Sequence, residues 1–171
     1  MEIVVVSDTN IFIDLYNVDL LDEFFSLDIE IHTTDFVMNE LIVEKQKKKI
    51  MEYHDRLFLK KFNAKELLEL ISFQHNLEKD TNVSVQDCSV WKYAQENDYM
   101  LLTGDRKLRG LAIKEGTNVC GILYLFDKMV EEHIISPQKA CEKILQLKKQ
   151  NVRLPSKEID KRVEIWKKNI N

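Results

Sequence analysis

"VVVSDTNIFIDL", residues 4–15, places Asp8 where a β-branched apolar run gives way to helical spacing. A run that is continuously apolar, not alternating, reads as a strand buried on both faces, as in a parallel sheet. A carboxylate at the end of such a strand has two explanations. It caps the following helix, or it stands at the carboxyl end of the sheet, where open α/β folds gather ligands.

Working outward, strands and helices alternate. "EIVVVS" (2–7) is the first strand, and "NIFIDLYN" and "DLLDEFFSL" have helical spacing. "IEIHTT" (29–34) is a second strand, with Asp35 placed to cap one long helix, "FVMNELIVEKQKKK". "RLFLKKF" reads as a short strand, and Asn63 with Glu66 is a capping pair opening "AKELLELISFQHN". Ser84 opens the helix "SVQDCSVWKYAQEN", followed by the strand "YMLLT" (99–103). "DRKLRGLAIKEG" is a helix stopped at Gly116, and "TNVCGI" is a further strand. This alternation implies an α/β fold with a parallel sheet. The chain then changes character: "GILYLFDKMVEEHII", "SPQKACEKILQLKKQN" and "PSKEIDKRVEIWKKN" are three helices, the second with Ser136 as cap and Pro137 at its first position. Residues 139–171 hold ten bases and four acids, with apolar positions three or four apart that require a surface to pack on. The expected organisation is a domain over 1–125 and a helical extension over 126–171, packed on that domain or on a partner.

Composition narrows the function classes. The chain has 171 residues, 44% of them hydrophobic, with only four Gly and two Pro, which excludes a disordered chain. No stretch has the length of a membrane span, and the start lacks a basic region before a long apolar one, so a cytoplasmic protein with no membrane association is expected. Cys88, Cys120 and Cys141 are odd in number and far apart, as buried reduced thiols are. Residues 1–44 hold eleven acids and no Lys or Arg, a charge of −11; the remaining 25 bases and 18 acids give +7, and the sum is the net −4. An acidic cluster beside basic walls suits a metal-dependent site for a polyanion, although solvated helix faces produce the same totals.

Four acids are candidates for that cluster. Asp8 and Asp105 follow strands, Asp87 lies in the first turn of the Ser84 helix, and Glu40 lies in the middle of the helix after Asp35. Each has a structural explanation as well: Asp8 and Asp105 as N-caps, Asp87 as the third position of a capping box, Glu40 as a solvated helix residue. Asp14, Asp35 and Asp127 read as surface or capping residues.

Taken together, "VVVSDTNIFIDL", "FVMNELI" and "QDCSVWKYAQENDYMLLTGDRKLRGLAIKEG" resemble the PIN-domain nucleases in order, spacing and local sequence. The resemblance spans about residues 3–125, and the continuation resembles a branch of predicted nucleic-acid-binding PIN proteins with a helical extension. It implies a three-layer fold, a central, mainly parallel sheet flanked by helices, with the C-terminal helices added. It also implies that Asp8, Glu40, Asp87 and Asp105 form an acidic quartet binding Mg²⁺ or Mn²⁺, supported by hydrogen bonds from Asn10 and Thr103. Small PIN proteins resemble the toxin ribonucleases of toxin–antitoxin pairs, which implies an RNA substrate, a protein antitoxin that covers the site, and a homodimer.

Electrostatics agrees with that implication. Two like charges about 4 Å apart repel by roughly 4 kcal/mol at an effective dielectric of 20, so four clustered acids require protons or a cation. Mg²⁺ takes only one or two carboxylates directly and leaves positions for phosphate. Arg106, Lys107 and Arg109, directly after Asp105, are candidates for phosphate contacts or simply an exposed helix face. Trp91 and Tyr93 are candidates for base stacking, with core packing the alternative for Trp91. The four histidines show no paired metal spacing. Haloacid-dehalogenase phosphatases need an Asp where Asn10 stands, and response regulators need an acid where Ser7 stands, which disfavours both. The alternative from another class is a PIN fold that binds nucleic acid or protein without cleaving.

Overall fold

In a computed structural model, residues 3–77 and 82–169 are described. Five strands form one sheet: β1 (Val4–Ser7), β2 (Glu30–Thr34), β3 (Leu57–Lys60), β4 (Met100–Leu102) and β5 (Val119–Cys120). Every pairing is parallel, in the order β3-β2-β1-β4-β5. The parallel α/β sheet expected from the alternation is present; Glu2, the expected start of the first strand, lies outside the described residues. Central β1 is registered Val5 to Ile31 on one side and Val5 to Met100 on the other, and Val5, Val6, Leu101 and Leu102 are wholly buried. The chain winds outward from β1 through β2 to β3, then returns to the other side of β1 for β4 and β5. The gap between the carboxyl ends of β1 and β4 is therefore the topological switch point, where crossovers diverge and leave a crevice.

Helices α1 (Thr9–Asn17), α2 (Leu21–Phe25), α3 (Asp35–Glu40), α4 (Glu44–Met51), α5 (Ala64–Asn76), α6 (Val85–Glu96) and α7 (Arg106–Lys114) connect the strands. Both capping boxes read from sequence are formed: Asn63 with Glu66 opens α5, and Ser84 with Asp87 opens α6. The long helix expected after Asp35 is instead two. Leu41 turns into the core in an extended conformation, Ile42 is 90% exposed, and α4 starts only at Glu44. The β-branched pair Ile42–Val43 is a poor helix former, and burying Leu41 outweighs continuing the hydrogen-bond ladder. Asp35 is not the cap either: Thr34 accepts from the Val37 N–H, Asp35 begins the helix, and its buried Oδ1 accepts no hydrogen bond among the described residues.

After β5 come α8 (Ile122–Glu131), α9 (Pro137–Gln150) and α10 (Ser156–Lys168). Ile144 and Leu147 of α9 and Ile159, Val163 and Trp166 of α10 belong to the same buried cluster as the strands. Two acids that read as surface or capping residues serve this junction. Asp14 of α1 is buried, and its Oδ1 and Oδ2 both accept from the Asn151 Nδ2, at 3.2 and 3.0 Å. Asp127 of α8 is half-buried and paired with Arg162 at 2.8 Å. All three cysteines are buried and free. No helix among the described residues is long and apolar enough to cross a membrane.

Candidate active site

Asp8 follows the last residue of β1, at the switch point. Its backbone N–H still pairs with the Leu102 carbonyl at 3.0 Å, which locks the residue to both central strands. Its side chain is only 3% exposed. Oδ1 caps α1 by accepting from the Ile11 N–H at 3.1 Å, while Oδ2 accepts from the Thr103 hydroxyl and from the Gly104 N–H at 3.3 Å. Burial nonetheless raises the Asp8 pKa to about 7; the hydrogen bonds pull it down, and the neighbouring Asp87 charge pushes it further up. Capping and site membership therefore coincide in one side chain.

Thr103 ties Asp8 to the next acid. Its hydroxyl donates to Asp8 and accepts from the Asp105 N–H at 3.0 Å, while Asp105 caps α7 by accepting from the Leu108 N–H at 2.7 Å. Asp87, half-buried in the first turn of α6, has its Oδ2 occupied by the Ser84 hydroxyl at 2.8 Å and the Ser84 N–H at 3.3 Å. Its pKa is raised, first by burial and then by the charges of Asp105 and Glu40. Each of the four acids is thus in electrostatic range of at least one other, with Asp87 the common neighbour.

Glu40 stands at the last position of α3, not mid-helix, and is exposed on the side of the break that follows. Its Oε2 accepts from the Thr9 hydroxyl. Thr9 was not singled out from sequence, although its place beside Asp8 at the first turn of α1 was a usable signal. Asn10 is exposed, packs beside Gly104, and makes no side-chain hydrogen bond among the described residues. Arg106 and Lys107 are exposed and Arg109 half-buried on α7, next to Asp105. Trp91 and Tyr93 are not available to bases. Trp91 is wholly buried and donates to Thr117 at 3.1 Å, and Tyr93 is buried against His32, with its hydroxyl 2.8 Å from Nδ1.

The donor set is all carboxylate oxygen, which suits a hard divalent cation. Among the described residues, no group of three or more His, Cys, Asp or Glu side chains stands close enough to cage a metal ion directly. The open acceptor positions decide the fit. Asp8 Oδ1 has a single donor, and Asp87 Oδ1 has none among the described residues. One or two direct carboxylate contacts completed by water is the arrangement Mg²⁺ prefers, so the residues fit such an ion without a dry cage.

Comparison with known proteins agrees with this fold. A family model for the DUF3368 PIN domain matches residues 4–168. Among solved structures, the chain is similar to PAE2754 from Pyrobaculum aerophilum, with a TM-score of 0.54, 14% identity, and 77% of this chain and 98% of that one covered. It is also similar to the PilT N-terminus domain protein SSO1118 from the archaeon Sulfolobus solfataricus, with a TM-score of 0.51, 13% identity, and 75% and 95% covered. At such identities these likenesses bear on the fold alone. No curated protein matches the chain. The switch-point carboxylates, the parallel sheet and a family match over nearly the whole sequence lead to one conclusion: the chain belongs to the PIN-domain family, whose members are in general metal-dependent nucleases.

Proposed function

We propose that this protein is a divalent-metal-dependent endoribonuclease that hydrolyses phosphodiester bonds. The observation that carries the reading is Asp8: a carboxylate buried at the centre of the sheet, held by three donors, and coupled to Asp87 although burial opposes its charge. A protein retains so costly a group where a cation or a reaction uses it. Asp8, Glu40, Asp87 and Asp105 would hold Mg²⁺ or Mn²⁺, which when bound neutralises phosphate charge and activates water. Thr103, Ser84 and Thr9 fix the carboxylates by hydrogen bonds, the support that positions metal ligands. Arg106, Lys107 and Arg109 attract the RNA backbone without reading its sequence, and Asn10 lies exposed beside Gly104.

The test is cleavage of a mixed single-stranded and structured RNA pool in Mn²⁺ or Mg²⁺, against EDTA, for wild type, Asp8→Asn and Asp105→Asn. Cleavage lost in EDTA and in both folded variants is the expected result. Among the described residues no three acids stand close enough to cage an ion directly, which favours a second reading, a binding module without cleavage. RNA binding unaffected by EDTA, with no cleavage in either metal, would establish it. The toxin-like form of the first reading adds a cytoplasmic homodimer and a protein antitoxin that inserts a basic side chain among the carboxylates. Growth arrest on induction and a co-purifying partner are its expected signs; harmless expression with no partner removes it.

A further inference from the structure

A cavity of about 640 Å³ shares Thr103 and Gly104 with the surroundings of Asp8. Thr103 and Gly104, which both hold Asp8, line it together with Arg106 and Arg109 of α7 and Arg153, Leu154 and Pro155 of the α9–α10 connection. Val119 to Tyr124, from β5 into α8, also line it. Its size falls within the range of small-ligand pockets. Among the described residues, Arg106, Arg109 and Arg153 make no ion pair, whereas Arg162, also in the wall, is already held by Asp127 and Glu158. Three guanidinium groups thus line one recess without an ion pair to any described acid, the one acid of the lining, Glu158, facing Arg162 at 3.8 Å, and planar guanidinium suits phosphate and the faces of bases. The half-buried Tyr124 ring and Leu154 add an apolar surface for a flat group.

We infer that this recess, completed by Arg153 of the helical extension, binds one nucleotide of single-stranded RNA adjacent to the phosphate held at the carboxylates. The inference rests on the ribonuclease reading for its substrate, but its geometry does not involve the acids themselves. A base confined to a duplex does not enter so local a recess, whereas an unpaired one is free to turn into it. The shared wall at Thr103 and Gly104 makes occupied recess and reacting phosphate neighbours along the same strand.

The experiment is equilibrium binding of a fluorescein-labelled, unpaired RNA oligonucleotide in EDTA, where no cleavage intervenes, with cleavage in Mn²⁺ measured in parallel. Arg153→Ala and Arg109→Ala are expected to weaken binding at least about tenfold each and to reduce the salt dependence by roughly one released counterion. Lys65→Ala, an exposed charge on α5 remote from the recess, serves as the control and is expected to bind like wild type. Because Arg153 is exposed, its removal leaves the fold intact, checked by the unfolding midpoint. Binding unchanged by Arg153→Ala, or weakened equally by Lys65→Ala, overturns the inference. Arg153-dependent binding by a wild type that cleaves nothing in Mn²⁺ overturns the nuclease reading and leaves the nucleotide site standing.

Discussion

Thr103 links two acidic residues through one hydroxyl, donating to the Asp8 carboxylate and accepting from the backbone N–H of Asp105. Thr103→Val keeps the shape and deletes both bonds, leaving a buried carboxylate short of a donor and an amide without its acceptor. It is expected to cost about 1–3 kcal/mol in urea unfolding and to lower Mn²⁺-dependent cleavage by about 10–100-fold, the usual effect of losing a group that orients a metal ligand. Asp8→Asn separates stability from activity. It should lower cleavage by about 100-fold or more, the scale of one positioned catalytic group. It should also unfold at no lower urea concentration than wild type, because it removes a charge that burial opposes. A variant that is inactive only because it has unfolded contradicts this assignment. At this scale the strand-ending position of Asp8 was legible from an apolar run broken by an acid. The Thr9 bond to Glu40 was not, since it joins residues 31 apart in sequence.

The two capping boxes form a natural comparison between elements. Ser84 caps α6 and holds Asp87, whereas Asn63 caps α5 and pairs with Glu66, which is none of the four acids. Ser84→Ala and Asn63→Ala are each expected to lose about 1 kcal/mol, the usual worth of an N-cap. Only Ser84→Ala should also reduce cleavage, because only its cap doubles as the support of a site acid. Equal activity losses in both variants would show that helix fraying, not Asp87 orientation, is responsible. Local chemistry made both boxes readable, since Asn-x-x-Glu and Ser-x-x-Asp carry their own geometry. The division of α3 from α4 was not readable: helical spacing continues through Leu41, and only the core pocket that receives Leu41 decides that the ladder stops there.

Across the whole molecule, the C-terminal helices are joined to the sheet by burial and by buried polar bonds. Trp166 is buried and stacks on Phe126 with ring centroids 6.1 Å apart, so Trp166→Ala is expected to cost about 3–5 kcal/mol and to shift one cooperative transition. A separate early transition for the last helices would contradict this. Asp14 gives the junction a pH dependence. Burial raises its pKa from 3.8 to about 6, partly opposed by the Asn151 amide. Between those values the folded chain keeps a proton that the unfolded chain has released, so stability falls as pH rises through that window and levels above it. The full decline is about 3 kcal/mol at most. Asp14→Asn should abolish it, so the difference between wild-type and variant unfolding free energies, measured in urea from pH 4 to 7, should follow the same window. A constant difference would exclude Asp14 as the source.

The sequence by itself determined what depends on neighbours along the chain: the β-branched strands, the capping motifs, the parallel α/β class and the four acids in family order. Short-range sterics and hydrogen bonding write those features into a few adjacent residues. Only the tertiary structure decided which distant groups meet. It joined Thr103 to Asp8 and Thr9 to Glu40, withdrew Trp91 and Tyr93 into the core, and brought Arg153 to the recess that Thr103 and Gly104 also line. Such meetings follow from strand order and from competition for buried volume, which are properties of the packed whole and leave no periodic trace in the chain.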